Sequence, residues 1–265
     1  MSRRAFTLVE LLVVIAILAF LIAILLPFLQ VSRQHTKAIL CRSNVKQLVL
    51  GLAMYETDNQ TFPYGFHFSL TPPPGGYPGY IQYDRPGWWW FNFIEGFHKR
   101  TDNKRTVVKC PSKQLRNPKL KNNILCGNYG VNRSVCKSSD DIQCHREEFV
   151  GTPLASSDIR RPGETLLVVD SGYSMISWWH VTDVPPVSLG NTIIEDTAYV
   201  PGLRINKERV LQPGQEWDAI NGRHPNKSVN VGFADGHVDR VKADDLFVEK
   251  IAEDYKNKSP LWLPK

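Results

Sequence analysis

Residues 5–29 read AFTLVELLVVIAILAFLIAILLPFL, and this stretch decides how the chain is organised. Within it, residues 11–26 are sixteen consecutive apolar positions without a charge. Residues 6–29 would form about 36 Å of α-helix, which is enough to cross roughly 30 Å of hydrocarbon. No comparable run follows, so the sequence predicts one membrane-spanning helix and a remainder that folds in water.

The flanks of the apolar run predict its orientation. Arg3 and Arg4 precede it, and Pro27 and Phe28 follow it in place of the small-residue cleavage site of a secretory signal peptide. Basic residues stay on the cytoplasmic side of a membrane. We therefore expect a single-pass protein of the inner (cytoplasmic) membrane, with its N-terminus in the cytoplasm and its C-terminal head in the periplasm or outside.

The rest of the chain has the composition of a globular domain. Of 265 residues, 42% are hydrophobic and 22% are charged, which excludes a disordered chain, a collagen-like repeat and a polytopic membrane protein. The net charge of +6 is local, because residues 99–121 carry a net +8 and the remainder sums to −2. No nucleic-acid-reading motif accompanies this basic stretch, so we expect no nucleic-acid partner.

One acidic residue, Glu10, interrupts the apolar segment. A carboxylate there costs several kcal/mol unless it is neutral or paired. The string from Ala5 to Leu12, AFTLVELL, resembles the processing signal of type IV pilins and of type II secretion pseudopilins. The resemblance implies cleavage between Ala5 and Phe6 by a prepilin peptidase, N-methylation of Phe6 and a role for Glu10 in assembly. Ala5 stands where that family usually has Gly.

The spacing between Phe6 and Glu10 suits such a role. A new ammonium at Phe6 would lie about 6 Å along the helix axis from the Glu10 carboxylate. Two subunits staggered by that distance would pair the opposite charges inside lipid, and pairing within one helix is the alternative. The partners implied are a prepilin peptidase, other pilin-like subunits and inner membrane lipid.

An amphipathic helix continues from the apolar segment. Its apolar stripe has spacings of three and four and consists of Ala38, Cys41, Val45, Leu48, Leu52 and Tyr55. Pro27 should kink or loosen the helix, and Pro63 should follow its end. The segment Cys41–Pro63 resembles a subgroup of pilin-like proteins whose C-terminal signature is His, nine residues and Asp-Gly.

These patterns predict an α+β fold. A long N-terminal helix, with a transmembrane half and an amphipathic half, would pack on a small antiparallel β-sheet head with long loops. The expected divisions are a leader peptide at residues 1–5, a transmembrane and assembly helix at 6–29, and a head at 30–265 that includes the amphipathic helix 30–58.

The C-terminal signature lies in residues 223–241, which read RHPNKSVNVGFADGHVDRV. The alternating apolar residues before Asp235-Gly236 predict a β-hairpin with this pair at a two-residue turn. The segment resembles the signature hairpin of the subgroup through His224, Asp235 and Gly236, although ten residues, not nine, separate His224 from Asp235. These residues would either bind a metal together with His237 and Asp170 or hydrogen-bond a loop to the turn, and we favour the second reading.

Three shorter segments extend the resemblance. Val107–Pro111 resembles a strand that ends in Cys-Pro, and Asn128–Asn132 resembles a Tyr-Gly-x-Asn turn. Thr165–Asp170 is typical of a buried strand.

Five cysteines stand at positions 41, 110, 126, 136 and 144. An exported domain can oxidise its thiols, so we expect disulfides among Cys110, Cys126, Cys136 and Cys144, with Cys41 buried alone. Chain proximity favours the pairs 110–126 and 136–144 over the two other pairings. A zinc site that includes His145 is the rival reading, but no Cys-x-x-Cys pair supports it.

No motif of a known catalytic site occurs in the sequence. We therefore expect no enzyme, cofactor or metal, and the aromatic triplet Trp88–Trp90 is expected to fill the core rather than to bind sugar. The favoured function is a structural subunit of a type IV pilus-like or type II secretion pseudopilus-like filament. The alternative is an uncut single-pass envelope protein whose head binds a glycan or an anionic polymer.

Overall fold

A computed structural model describes residues 8–69, 87–94, 107–139, 147–183, 198–251 and 254–264. Its dominant element is helix α1, Leu8–Asn59, with 52 residues and a length of about 78 Å. Pro27 lies inside the helix and does not end it. The helix stops at Asn59 because Gln60 takes a left-handed backbone conformation, with φ of 66°.

Burial divides α1 into two halves. Every residue from 8 to 37 is exposed, and the first buried residue is Ala38. Four other members of the predicted stripe, Cys41, Val45, Leu48 and Leu52, are fully buried, and Tyr55 packs against them half-buried. The amphipathic half is therefore an integral part of the head, as the spacing predicted.

The head is built on a five-stranded sheet whose order is β5-β3-β4-β6-β7. Its strands are antiparallel except for β3 and β5, which are parallel. The strands are β3 (Tyr129–Asn132), β4 (Leu166–Asp170), β5 (Met175–Ile176), β6 (Ser228–Phe233) and β7 (Val238–Lys242).

Smaller elements complete the described head. Two short antiparallel pairs flank the sheet, β1 (Phe66–His67) with β2 (Trp88–Trp89), and β8 (Glu249–Ile251) with β9 (Asp254–Lys256). Three short helices are α2 (Trp90–Phe93), α3 (Pro118–Asn122) and α4 (Glu216–Asn221). A long helix with small sheets confirms the predicted α+β class.

Two local expectations were wrong. Tyr129–Asn132 forms strand β3 rather than a turn, because Tyr129, Gly130 and Val131 pair with the end of β4. Val107–Pro111 forms turns rather than a strand, and the backbone of Cys110 bonds a side chain and a turn residue rather than a neighbouring strand. The Cys110 N–H donates to the Asn128 side chain at 3.0 Å, and the Cys110 carbonyl accepts from Lys113 N–H at 3.2 Å.

The sheet separates two apolar cores. One face packs against α1, where Cys41, Val45 and Leu48 meet Val168 of β4. The opposite face carries Val229, Val231 and Phe233 of β6 against the C-terminal segment, including the buried Trp262. The predicted alternation of β6 is confirmed, because these three apolar side chains share one face while Ser228, Asn230 and Gly232 lie on the other, and all six residues are buried.

Gly232 lets α1 approach β6 closely. A Cβ atom at this position would overlap Val49 of α1 and lie 2.9 Å from Cγ1 of Val168. The aromatic triplet also serves this core, since Trp89 and Trp90 are fully buried and Trp90 Nε1 donates to the Ser174 carbonyl at 2.9 Å.

Candidate functional site

The exposed half of α1 is the first candidate functional feature. Its apolar side chains lie open to solvent along the whole length, from Leu8, which is 78% exposed, past Phe20, which is 66% exposed. By length and composition this helix is able to cross a membrane. Glu10 is exposed in its first turn. Ala5 and Phe6 lie outside the described residues.

The second feature is the signature hairpin formed by β6 and β7. Its turn differs from the expected two-residue turn. The Phe233 N–H donates to the His237 carbonyl, and the Gly236 N–H donates to the Phe233 carbonyl, both at 3.0 Å. The loop therefore has three residues, 234–236, and within it only Gly236 has a positive φ, of 96°. A three-residue loop that ends in a left-handed glycine is a common hairpin type.

Asp235 belongs to this exposed turn. Its Oδ1 lies 2.6 Å from Nδ1 of His237 and accepts the His237 N–H at 3.0 Å. The turn also contacts α1, because Lys46 donates to the Gly236 carbonyl at 2.8 Å and Arg42 donates to the Val238 carbonyl at 2.9 Å. Two cationic side chains of α1 therefore bind the backbone at and just after the turn.

His224 lies at the other end of β6, away from Asp235. Its Nε2 is 3.1 Å from Oδ2 of Asp170, the last residue of β4, and both side chains are fully buried. Asn230 donates to the same oxygen from its backbone at 2.7 Å and from its side chain at 3.0 Å. His224 is thus joined to β4 and not to the turn. This corrects the second reading from the sequence, in which His224 would hydrogen-bond its loop to the turn at Asp235-Gly236.

The first reading, a metal site of four residues, is corrected as well. The structure separates its members into a buried pair, His224 with Asp170, and an exposed pair, Asp235 with His237. The pairs lie at opposite ends of β6. No cation could reach both.

In the buried pair, each partner favours the charged form of the other. Burial alone would raise the pKa of Asp170, but His224, Arg223 and the Asn230 N–H outweigh it and lower this pKa below its ordinary value. Burial alone would lower the pKa of His224, but the Asp170 carboxylate raises it. Two atoms are left over: His224 Nδ1 and Asp170 Oδ1 are buried without a hydrogen-bond partner in the described part of the chain.

Cys110 contacts α1. Its Sγ lies 3.2 Å from Sγ of Cys41, which in turn is 3.6 Å from the Ser112 hydroxyl. A hydrogen bond from Cys110 lowers the pKa of Cys41, whereas burial raises the pKa of Cys110. Cys41, Cys110 and Cys136 are free and buried, and Cys126 is buried as well. Cys110 therefore meets Cys41 instead of Cys126, and Cys144 lies outside the described residues.

Cys41, Cys110 and His224 form one buried cluster. A single ligand atom from each residue lies within 4.8 Å of the other two. The cluster joins α1, the turn at 107–111 and the segment before β6. Sequence reasoning did not find it because 182 residues separate Cys41 from His224. The available signal was that each of the three residues falls in a segment that resembles the same subgroup.

A buried charge network, also not predicted, lies beside this cluster. Arg223 and Asp218 form an ion pair at 2.7 Å, with both side chains fully buried. The Tyr199 hydroxyl donates to Asp218 at 2.7 Å. Arg223 also donates to the carbonyls of Asn128 and Ser171, at 2.8 and 2.9 Å. The network joins α4 to the segments that flank β3 and β4.

Comparison with known proteins gives one result for the N-terminus. Residues 1–26 match the family described as the prokaryotic N-terminal methylation motif. No curated protein and no solved structure matches the chain. The motif and the long apolar helix support a type IV pilin-like or pseudopilin-like precursor, which belongs to a structural rather than a catalytic class of proteins. The match ends before the head, so the C-terminal signature has no counterpart in it.

Proposed function

We propose that this chain is a structural subunit of a type IV pilus-like or type II secretion pseudopilus-like filament. One observation carries the proposal: a single helix is fully exposed and largely apolar over residues 8–31, yet enters the core of the head from Ala38 onward. Apolar surface of this extent marks a membrane or protein contact. Lipid would cover it before assembly, and the same helices of neighbouring subunits would cover it afterwards.

Processing would precede assembly. A prepilin peptidase would remove residues 1–5 by cutting between Ala5 and Phe6 and would methylate the new amine of Phe6. The remaining chain would stay in the cytoplasmic membrane through residues 6–29, with the head, residues 30–265, on the far side. The match of residues 1–26 to the methylation motif supports this step.

Glu10 would act in assembly. Its carboxylate on one subunit would meet the Phe6 amine of the next, because four residues of ideal helix would separate the two groups by about 6 Å along the axis. This contact would fix the axial stagger between neighbours. It would also balance two charges that are each costly in an apolar environment.

The processing step is tested by intact-mass measurement. The full chain is expressed with and without a prepilin peptidase, and an inactive peptidase serves as the control. We expect loss of residues 1–5 and gain of one methyl group with the active enzyme. Ala5→Gly should raise the cleaved fraction. An unshortened chain in every sample would contradict the proposal and favour the uncut envelope protein.

The assembly step is tested with Glu10→Gln, which removes the charge and keeps the shape. The variant should be cut normally but should lose cross-links between copies in isolated membranes. Asp58→Asn is the matched control, because it removes an exposed carboxylate near the other end of the same helix. Equal cross-linking of both variants would contradict the role of Glu10.

A further inference from the structure

The buried cluster of Cys41, Cys110 and His224 has the chemistry of a metal site. Two thiols and one imidazole are the ligands that structural zinc sites use. Their ligand atoms lie within 4.8 Å of one another, and the three residues are 0%, 5% and 5% exposed. Small side-chain movements would therefore bring all three to zinc, at about 2.3 Å for sulfur and 2.0–2.1 Å for nitrogen.

The surroundings of His224 provide a second, independent observation. Its Nε2 bonds Asp170, which is held in turn by Asn230. This leaves Nδ1 as a buried atom without a hydrogen-bond partner among the described residues. A histidine that ligates a metal has this arrangement, in which a carboxylate orients the ring through the other nitrogen. An unsatisfied buried polar atom is costly, and a metal would satisfy it.

The distance between the Cys41 and Cys110 sulfurs favours a shared zinc ion over a disulfide. The Sγ atoms are 3.2 Å apart. A disulfide requires about 2.05 Å, whereas two thiolates on one tetrahedral zinc stand about 3.8 Å apart. A disulfide would need the larger change in the sulfur–sulfur distance, and it would leave His224 Nδ1 without a hydrogen-bond partner. Two thiolates would also neutralise the charge of Zn²⁺ in this water-excluded place.

We propose that Cys41, Cys110 and His224 bind one zinc ion that fastens α1 to the head. Asp170 acts as a positioning residue for His224, and a water molecule completes the tetrahedron. The site differs from the metal site considered from the sequence, because it uses neither Asp235 nor His237. The proposal also departs from the expectation, drawn from the sequence, that the chain holds no metal.

The test measures the zinc content of the full chain, purified in detergent after loading with zinc chloride and removal of free metal. We expect one zinc per chain. Cys110→Ser and His224→Ala should lose it. Cys136→Ser should keep it, because Cys136 is an equally buried free cysteine that lies outside the cluster. His237→Ala should keep it as well.

A second measurement does not depend on the folding of any variant. Cobalt(II) in place of zinc in the wild-type chain should give intense thiolate-to-cobalt absorption. A chelator should lower the melting temperature of the zinc-loaded chain by about 5–10 °C. A chain without zinc after loading, zinc retained in both cluster variants, or a chain isolated with a Cys41–Cys110 disulfide would each overturn the proposal.

Discussion

At the scale of single residues, the stability of the head depends on charges held away from water. The Arg223–Asp218 pair is completely buried, and its remaining donors and acceptors are used by Tyr199 and by backbone carbonyls. Such a pair contributes little beyond what apolar side chains would give, but removal of one partner leaves the other charge unpaired. The pair should therefore be far less tolerant of substitution than any surface ion pair.

Asp218→Asn should lower the free energy of unfolding by about 3–5 kcal/mol, because it leaves the Arg223 guanidinium without its counter-charge. Urea unfolding of the chain in detergent measures the loss. Asp239→Asn is the matched control, because Asp239 pairs with Arg42 at 3.9 Å on the surface. That change should cost less than about 1 kcal/mol. Equal losses would show that the buried pair is not special.

Lys113 should make stability depend on pH. Its ammonium donates to the Asn123 carbonyl at 3.1 Å, and burial lowers its pKa to about 8. In the unfolded chain this pKa is about 10.4, so between these values the unfolded state binds more protons. The cost of burying the charge is thus complete below about pH 8 and is relieved as the pH rises through this window.

Lys113→Met should therefore stabilise the head at pH 7, by about 1–2 kcal/mol once solvent screening of the partly exposed side chain is allowed for. The advantage over the wild type should shrink between pH 8 and 10. Urea unfolding at each pH measures it, with Lys121→Met, an exposed lysine of α3, as the control. An advantage that is constant with pH would contradict the assignment.

At the scale of elements, α1 packs closely against β6 because Gly232 has no side chain. Gly232→Ala would place a methyl group against Val49 and Val168 and should cost about 1–3 kcal/mol. Val49→Ala should recover part of this loss in the double variant, because it removes the overlapping methyl groups. Thermal unfolding of all four proteins in the cycle measures the coupling.

Gly236→Ala, in the same hairpin, should destabilise the head through backbone strain rather than through steric overlap. Nothing lies within 4 Å of a Cβ at Gly236, but its φ of 96° is unfavourable for any other residue. The change should cost about 1 kcal/mol through backbone strain. Val49→Ala should not recover that loss. Recovery in both cycles would mean that Val49 acts on the hairpin in some way other than by steric overlap.

The elements that could be predicted are those with a local signal. The apolar run and the stripe from Ala38 to Leu52 predicted α1 and its buried face, because helical periodicity is visible within one segment. The alternation in residues 228–233 predicted β6 in the same way. The turn at 234–236 was placed correctly, but its length depends on how Phe233 and His237 pair, which alternation does not report.

The contacts that could not be predicted are those between distant segments. His224 meets Asp170, and Cys110 meets Cys41, because β6 lies beside β4 and α1 crosses both strands. Strand order brings these side chains together, and no spacing in the sequence encodes it. Proximity along the chain suggested the pair 110–126 instead, since loop length was the only guide to pairing.

At the scale of the whole molecule, the head uses only the second half of α1. Because burial begins at Ala38, removal of residues 1–29 should leave a soluble, monomeric and folded head. Removal of residues 1–45 is the matched control and should prevent folding, because it deletes Ala38, Cys41 and Val45 from the core. Circular dichroism and size-exclusion chromatography measure both. Aggregation of the shorter deletion would place the N-terminal half in the core.

Helix α1 is continuous from Leu8 to Asn59, so its exposed half and the head share one helix axis and rotate together. Each residue of an α-helix turns the chain by about 100° and advances it by 1.5 Å. One residue inserted between Gln34 and His35 would therefore rotate the head by about 100° around the axis of the anchor. Seven inserted residues would restore its angle to within about 20° and raise it by about 10.5 Å. In the proposed filament, the number of residues between the two halves would thus set the azimuth at which each head faces its neighbours.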